Sequence, residues 1–256
     1  MGICPCSCSK PSIGASLELL SPSQVKQRYI EEPKQLPYSQ NAANGHKDVW
    51  DALTLMDAAL DRSGHIVLLY SGYVIDPGHK DHEYQAGWNR EHVWPKSHAA
   101  LTTSHPGPGT DIHNLHAADI SVNAHRGNKD FDVLVEGEEG VQVVTDSSPP
   151  QGYSGMARLC MVSPSAWEPP DVAKGAVARS LMYMACMYAD HGLQLVEGQT
   201  KNHSMQLGNL QAILRWAATF PPSEREKRRN EVGQSLQGNR NPFIDHPDLC
   251  ERVLWS

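Results

Sequence analysis

The stretch Asn89-Arg90-Glu91-His92 puts a carboxylate and an imidazole side by side, and His113, Asn114, His116 and Asn123 follow downstream. These residue types suit hydrolysis. A carboxylate such as Glu91 and the side-chain carbonyl of Asn123 are hard oxygen donors of the kind Mg²⁺ prefers, and Mg²⁺ keeps several waters while accepting a phosphate oxygen. Such donors discriminate poorly among Mg²⁺, Mn²⁺ and Ca²⁺. His92, neutral near pH 7 with an ordinary pKa of about 6.5, can take a proton from an attacking water. The cation then neutralises charge on the phosphate and on the departing oxygen.

Several elements must position that set. Trp88 to Trp94 is strand-like and ends at Pro95, which cannot donate to a ladder. Residues 97–110, with Pro106-Gly107-Pro108-Gly109, form a loop, and Asp111 to His116 can form a second strand. Asp119 is an N-cap candidate for a short helix through Asn123 and Arg126, stopped by Gly127. If the strands pair across the loop and the helix packs back, a ββα unit over about 88–128 brings His92 and Asn123 to one cleft. Side chains alternate along a strand, so Glu91 and His92 share the cleft only if the strand bends or bulges near Pro95.

The rest of the chain reads as scaffold. Helices are expected over Asp48–Leu60, with Val49, Ala52, Leu53, Met56 and Leu60 on one stripe, and over 172–188, 207–220 and 223–236. His65 to Tyr70 reads as a buried strand, and Gly137 to Pro150 as an acidic, turn-rich segment. Residues 1–16 form an unstructured head, and 17–256 a single domain of class α+β with extra helices in its C-terminal half. With 39% hydrophobic residues and no long apolar run, the 256-residue chain is expected neither to be disordered nor to enter a membrane. A net charge of −7 means that any nucleic-acid site must be local. Arg225, Lys227, Arg228, Arg229 and Arg240 could form a basic patch, or a solvated helix with pairs such as Glu224–Arg228.

Cys4, Cys6 and Cys8 lack a fourth metal ligand nearby, and Cys160, Cys186 and Cys250 could include one disulfide. No basic-then-apolar secretory leader is evident at the N-terminus. A zinc reading would use His113, His116 and His125, with His79 and His82 as a further pair, but strand geometry puts His113 and His116 on opposite faces. Gly152-Tyr153-Ser154-Gly155 lacks the last glycine of a nucleophile elbow, because Met156 stands there.

The segments WNREHVWPKSH (88–98), TDIHNLHAADISVNAHRGN (110–128) and LGNLQAILRWAATFPPSEREKRRNEVGQSLQGNRNPFIDHP (207–247) resemble the endonuclease I family. These are secreted or periplasmic nucleases of the ββα-metal, or His-Me finger, class. The resemblance implies a metal-dependent endonuclease of little sequence preference, cutting DNA and often RNA to leave 5′-phosphates, and exported; a monomer is expected, though no motif encodes the oligomeric state. It assigns His92 as general base and Glu91 and Asn123 as ligands of Mg²⁺, or of Mn²⁺ or Ca²⁺. His113 and Asn114 fall on the supporting second strand. Some members carry a phosphate-contacting arginine between the strands, where this chain has none. Arg126, three residues beyond Asn123 and on the same helix face, is the first substitute and Arg240 the second. Arg90 is a candidate for substrate contact or a structural ion pair. The alternatives are a zinc-binding, histidine-rich protein and a degenerate nuclease that only binds nucleic acid.

Overall fold

The computed structural model describes residues 18–39, 47–80, 87–99, 101–144 and 160–255. Its first helix, α1 (Pro22–Tyr29), is started by a reciprocal capping box between Ser21 and Gln24. Helix α2 (Val49–Met56) is capped in the same way by Asp48 and Asp51, and it buries Val49, Ala52, Leu53 and Met56. It stops short of Leu60, which is 56% exposed. The reason is Asp57, whose buried carboxylate leaves the helix to accept from the Ala117 backbone N–H at 2.8 Å and from Arg229 Nε at 2.9 Å.

Strands β1 (Ile66–Val67) and β2 (Val74–Ile75) form a two-residue antiparallel pair. The expected strand over His65–Tyr70 is therefore cut to its first two apolar residues, while Leu68, Leu69 and Tyr70 are buried in the turn that follows. Next come β3 (Trp88–His92), the short α3 (Lys96–Ala99), β4 (Leu115–Asp119) and α4 (Ile120–Arg126). A small four-stranded sheet in the order β5-β8-β7-β6 is built from β5 (Asp130–Phe131), β6 (Gln142–Val144), β7 (Cys160–Val162) and β8 (Ala166–Glu168).

The long helix α5 (Asp171–Met187) is buried on most of its circumference. Beyond it lie the parallel pair β9 (Gln194–Leu195) and β10 (Gln206–Leu207), and then α6 (Leu210–Thr219), α7 (Glu224–Gln237), α8 (Pro242–Asp245) and α9 (Leu249–Arg252). The class is α+β, as the sequence suggested. Cys160, Cys186 and Cys250 are all buried free thiols, so the disulfide allowed by the sequence does not form. The Cys4–Cys8 cluster, the head and the 152–156 segment lie outside the described residues.

Two apolar clusters meet at the β3–β4 pair. Trp88, Leu115 and Ala117 join Val49, Leu53 and Met56 of α2. Ala118, Val93 and Trp94 join Leu181, Tyr183, Ile213 and Trp216 beneath α5 and α6. Successive residues of β4 thus feed opposite clusters, as a period of two requires. Truncating a fully buried leucine such as Leu115 costs about 2–5 kcal/mol, so the pair is firmly anchored.

Two of the four basic residues of α7, Arg225 and Arg229, are turned into the protein, while Lys227 and Arg228 are exposed. Arg229 reaches Asp57 and the carbonyls of Ile112 and Leu115. Glu226 takes a two-pronged bond from Arg179 at 2.8 and 2.9 Å. Glu224 pairs with Lys227 rather than with Arg228. Of the basic residues considered from the sequence as a patch, Arg229 is thus withdrawn into the protein and Lys227 is paired at the surface.

Candidate active site

Strand β3 pairs antiparallel with β4 in unbroken register from Trp88↔Asp119 to His92↔Leu115. The second strand is thus displaced from the expected Asp111–His116 to Leu115–Asp119. Residues 111–114 form a turn instead, because Asp111 is engaged from afar. It accepts from Tyr183 Oη at 2.9 Å, Tyr188 Oη at 2.7 Å and Gln237 Nε2 at 2.9 Å.

No bulge interrupts β3, and the chain bends immediately after His92, at Val93–Trp94. Asn114 clamps that bend: its Oδ1 accepts from the Trp94 N–H at 2.7 Å and its Nδ2 donates to the Trp94 carbonyl at 3.2 Å. At the other end of β4, the Asp119 carboxylate accepts from the N–H groups of Ser121 and Val122 and starts α4 with no intervening loop. Gly127, at φ 58°, ends it. Asn123 then faces β3 and donates from Nδ2 to Asn89 Oδ1 at 2.7 Å, which turns its own Oδ1 away from Asn89.

Glu91, His92, Asn123 and Arg126 line one cleft of about 440 Å³. His92 Nε2 lies 2.9 Å from the carbonyl oxygen of Gly109. A carbonyl can only accept, so Nε2 carries the hydrogen and Nδ1 keeps the lone pair. Burial pushes the imidazole down to about 3, with the Gly109 carbonyl opposing and the positive charges of Lys96, Arg90 and Arg126 assisting. The ring is neutral, and its Nδ1 lone pair is unprotonated.

Glu91 is 2% exposed, and its Oε1 accepts from Tyr70 Oη at 2.7 Å and lies 3.3 Å from Arg126 Nη1. Burial pushes its pKa up, while Arg126, Tyr70 and the His92 backbone N–H pull it down. A carboxylate this poorly solvated has acceptor capacity left over, since two oxygens offer about four lone-pair sites. Together with the Asn123 carbonyl oxygen, it fits a hard divalent cation that completes its shell with water.

Other expected residues take other places. Arg126 lines the cleft, but its guanidinium is 1% exposed and donates to the carbonyls of His92 at 2.9 Å, Val93 at 2.6 Å and Gly127 at 3.2 Å. It ties the end of β3 to α4. Arg240 is outside the cleft and bound to Asp245 at 2.6 and 2.7 Å. His113 is buried against the Tyr183 ring, with Nε2 3.1 Å from the Asn239 carbonyl. His116 Nε2 meets Ser180 Oγ at 3.1 Å, and His125 Nδ1 meets the Ser121 carbonyl at 2.8 Å. Among the described residues no three His, Cys, Asp or Glu side chains cluster as metal ligands, so the zinc triad has no structural counterpart there.

Arg90 does line the cleft, with its guanidinium 3.5 Å from the Tyr38 ring centre and 4.1 Å from that of Trp50. The sequence reading gave no role to Asn89 and missed Tyr70, Lys96, Tyr38 and the Gly109 carbonyl. Only Asn89 and Lys96 offered a signal, by lying beside the motif. A backbone carbonyl carries no residue-type signature at all.

A family model described as Endonuclease I matches residues 28–248. The chain is 37% identical over 231 residues to an extracellular ribonuclease of Bacillus amyloliquefaciens, covering 88% of this chain and 71% of that protein. It is 37% identical over 213 residues to an extracellular ribonuclease of Bacillus subtilis, covering 81% and 68%. An extracellular deoxyribonuclease of Aeromonas hydrophila is 29% identical over 136 residues, 53% of this chain and 48% of that protein. With the family model running over nearly its whole length, the chain belongs to the Endonuclease I family.

Proposed function

We propose that this protein is a metal-dependent endonuclease of the His-Me finger type that hydrolyses phosphodiester bonds in DNA and RNA with little sequence preference. One observation carries the reading: the Gly109 carbonyl fixes the His92 tautomer at 2.9 Å, on the cleft that Glu91 and Asn123 also line. In the reaction, His92 Nδ1 takes a proton from water as the water oxygen bonds to phosphorus. The bond from phosphorus to the 3′-oxygen breaks, that oxygen takes a proton from solvent water and leaves as the 3′-hydroxyl, and the other product carries a 5′-phosphate. Glu91 and Asn123 would hold Mg²⁺ or a similar ion, which when bound would supply positive charge to offset the charge that develops in the reaction. Arg126 and Tyr70 keep the Glu91 carboxylate ionised and aimed. Arg90, set flat by Tyr38 and Trp50, and Lys96 face the phosphate from the cleft wall; stacking of this kind fixes a guanidinium's plane.

RNA stands beside DNA because the two Bacillus relatives are named ribonucleases and cover more of the chain than the deoxyribonuclease does. All three are named extracellular, which supports action outside the cell. The test is incubation of plasmid DNA and of RNA with wild-type and His92→Ala protein, with and without EDTA. Cleavage lost on chelation and in a folded His92→Ala variant is the expected result. Nucleic acid bound but uncut by the wild type with Mg²⁺ present would instead favour the binding-module reading.

A further inference from the structure

We propose that a recess beside the cleft, across Asn128, receives the phosphodiester next to the one being cut. This rests on the nuclease reading above and deepens it: the enzyme would grip a strand rather than a single linkage. The recess holds about 360 Å³ and is lined by His98, Asn128, Lys129, Thr200, Lys201 and Asn202, among others. That volume falls within the range of ligand pockets. Asn128 lines both openings. The partition is a polar ridge, with Asn128 Nδ2 donating to Asn202 Oδ1 at 2.7 Å and to Ser97 Oγ at 3.3 Å. A strand crossing from cleft to recess would pass over amides and a hydroxyl, with no apolar barrier between them.

The charge in the recess suits a phosphate. Lys201 is exposed, and Lys129 Nζ spends one donor on the His125 carbonyl at 3.0 Å. An ammonium has three, so two remain. The carboxylate in the recess, Asp130, is 4% exposed and turned inward, accepting from Thr200 Oγ1 at 2.7 Å and from the Gly208 N–H at 3.1 Å. In a chain of net charge −7, the cleft presents Arg90 and Lys96 and the recess continues with Lys129 and Lys201. Such local concentration focuses the field on a polyanion despite an acidic whole.

The walls are preformed. The two ring nitrogens of His98 lie 2.9 Å from the Gln206 carbonyl and 2.7 Å from the Asn128 carbonyl. The loop that carries Lys201 and Asn202 is bonded to α3, by His203 N–H to the Ser97 carbonyl at 2.8 Å and Met205 N–H to the His98 carbonyl at 2.9 Å. His203 and Met205 sit at φ 64° and 59°, a region that non-glycine residues rarely adopt and that such bonds must hold. A fixed wall has little ordering left to lose on binding.

The experiment compares a single-stranded oligonucleotide with bis-p-nitrophenyl phosphate, a diester with no flanking phosphate. Wild type, Lys129→Ala/Lys201→Ala, Lys201→Ala and Lys201→Arg are assayed across ionic strength. The ratio of kcat/KM for the oligonucleotide to that for the small diester is expected to fall about tenfold in the double variant. The log–log salt slope for the oligonucleotide should become shallower by about 0.7, one phosphate's worth for a single strand. Lys201→Arg should keep both, and Lys201→Ala should lie midway. A double variant with wild-type ratio and slope, while the wild type cleaves, overturns the inference and leaves the nuclease reading intact. If the wild type cleaves neither substrate, the nuclease reading itself fails and the inference falls with it.

Discussion

Arg126 separates two accounts of the site. The sequence offers it as a phosphate contact, whereas in the structure its guanidinium is spent on three carbonyls and on Glu91. Replacing it by methionine keeps the aliphatic stem and removes the charge. Breaking a buried ion pair from one side costs about 3–5 kcal/mol, because the other charge is left without compensation. Some of this is returned, since Arg126 Nε is buried without a partner and its desolvation cost, about 1–2 kcal/mol, disappears with it. The net loss is about 3 kcal/mol, or a fall in Tm of roughly 6–12 °C for a chain of this size. The Glu91 carboxyl, already pushed up by burial, would rise further without the nearby cation. Protons then compete harder for it, so Mg²⁺ affinity measured by calorimetric titration should weaken, and weaken more as pH is lowered. A variant that melts within about 2 °C of the wild type, binds Mg²⁺ normally and loses only cleavage would refute this account and restore Arg126 to the substrate.

Three further perturbations probe the same framework. Gly109→Ala would drive a Cβ into the carbonyl oxygen of Thr102, displacing the carbonyl that holds His92; kcat should fall about 100-fold with Mg²⁺ binding unchanged, since a shift of about 1 Å at a reacting group has that effect, and unaltered kcat would show that the Gly109 bond is dispensable. His113 and His116 are held below the ordinary histidine value, chiefly by burial, so the unfolded chain binds more protons than the folded one. Their stabilising contribution is complete above about pH 6.5 and is lost below it at up to about 1.4 kcal/mol per pH unit for each, so urea midpoints should decline from about pH 7 to pH 5, and a flat midpoint would contradict the assignment. Asn114→Ala removes both bonds to Trp94 and should lower stability by about 1–3 kcal/mol while lowering kcat more than it raises KM, a split that steady-state kinetics reads directly.

Local signals placed the elements around the candidate site where the cause was local. Asp119 caps α4 and Gly127 ends it because a short carboxylate and a residue tolerant of positive φ do those jobs within a few residues. The runs 172–188 and 207–220, read as helices from their own residues, became α5 and α6 for the same reason. Failures cluster where distant side chains decide. The strand expected at Asp111 became a turn because Tyr183, Tyr188 and Gln237, far along the chain, reach for that carboxylate. Helix α2 ended early because Asp57 is needed by Arg229. Arg126 was rightly placed on the Asn123 face, yet its burial follows from carbonyls that only the bend after His92 exposes. Tyr70 read as one more apolar position in a strand, and nothing in HIVLLY announces a hydroxyl bound to the carboxylate of Glu91.

The distribution of positive charge makes the same point with functional weight. The C-terminal segment is the most basic stretch to the eye, but Arg229 is taken by Asp57, Arg179 by Glu226 and Arg240 by Asp245. A charge neutralised at about 3 Å by its own carboxylate adds little at the distance of a substrate. Besides the buried Arg126, the cationic side chains that line the cleft and the recess beside it are Arg90, Lys96, Lys129 and Lys201. Four such groups set an upper bound on phosphate contacts in this region. By counterion release, the log–log slope for single-stranded substrate should then be no steeper than about −3, well short of a protein that coats nucleic acid. A measured slope near −6 would require cations from elsewhere on the molecule and would move the binding surface away from this cleft.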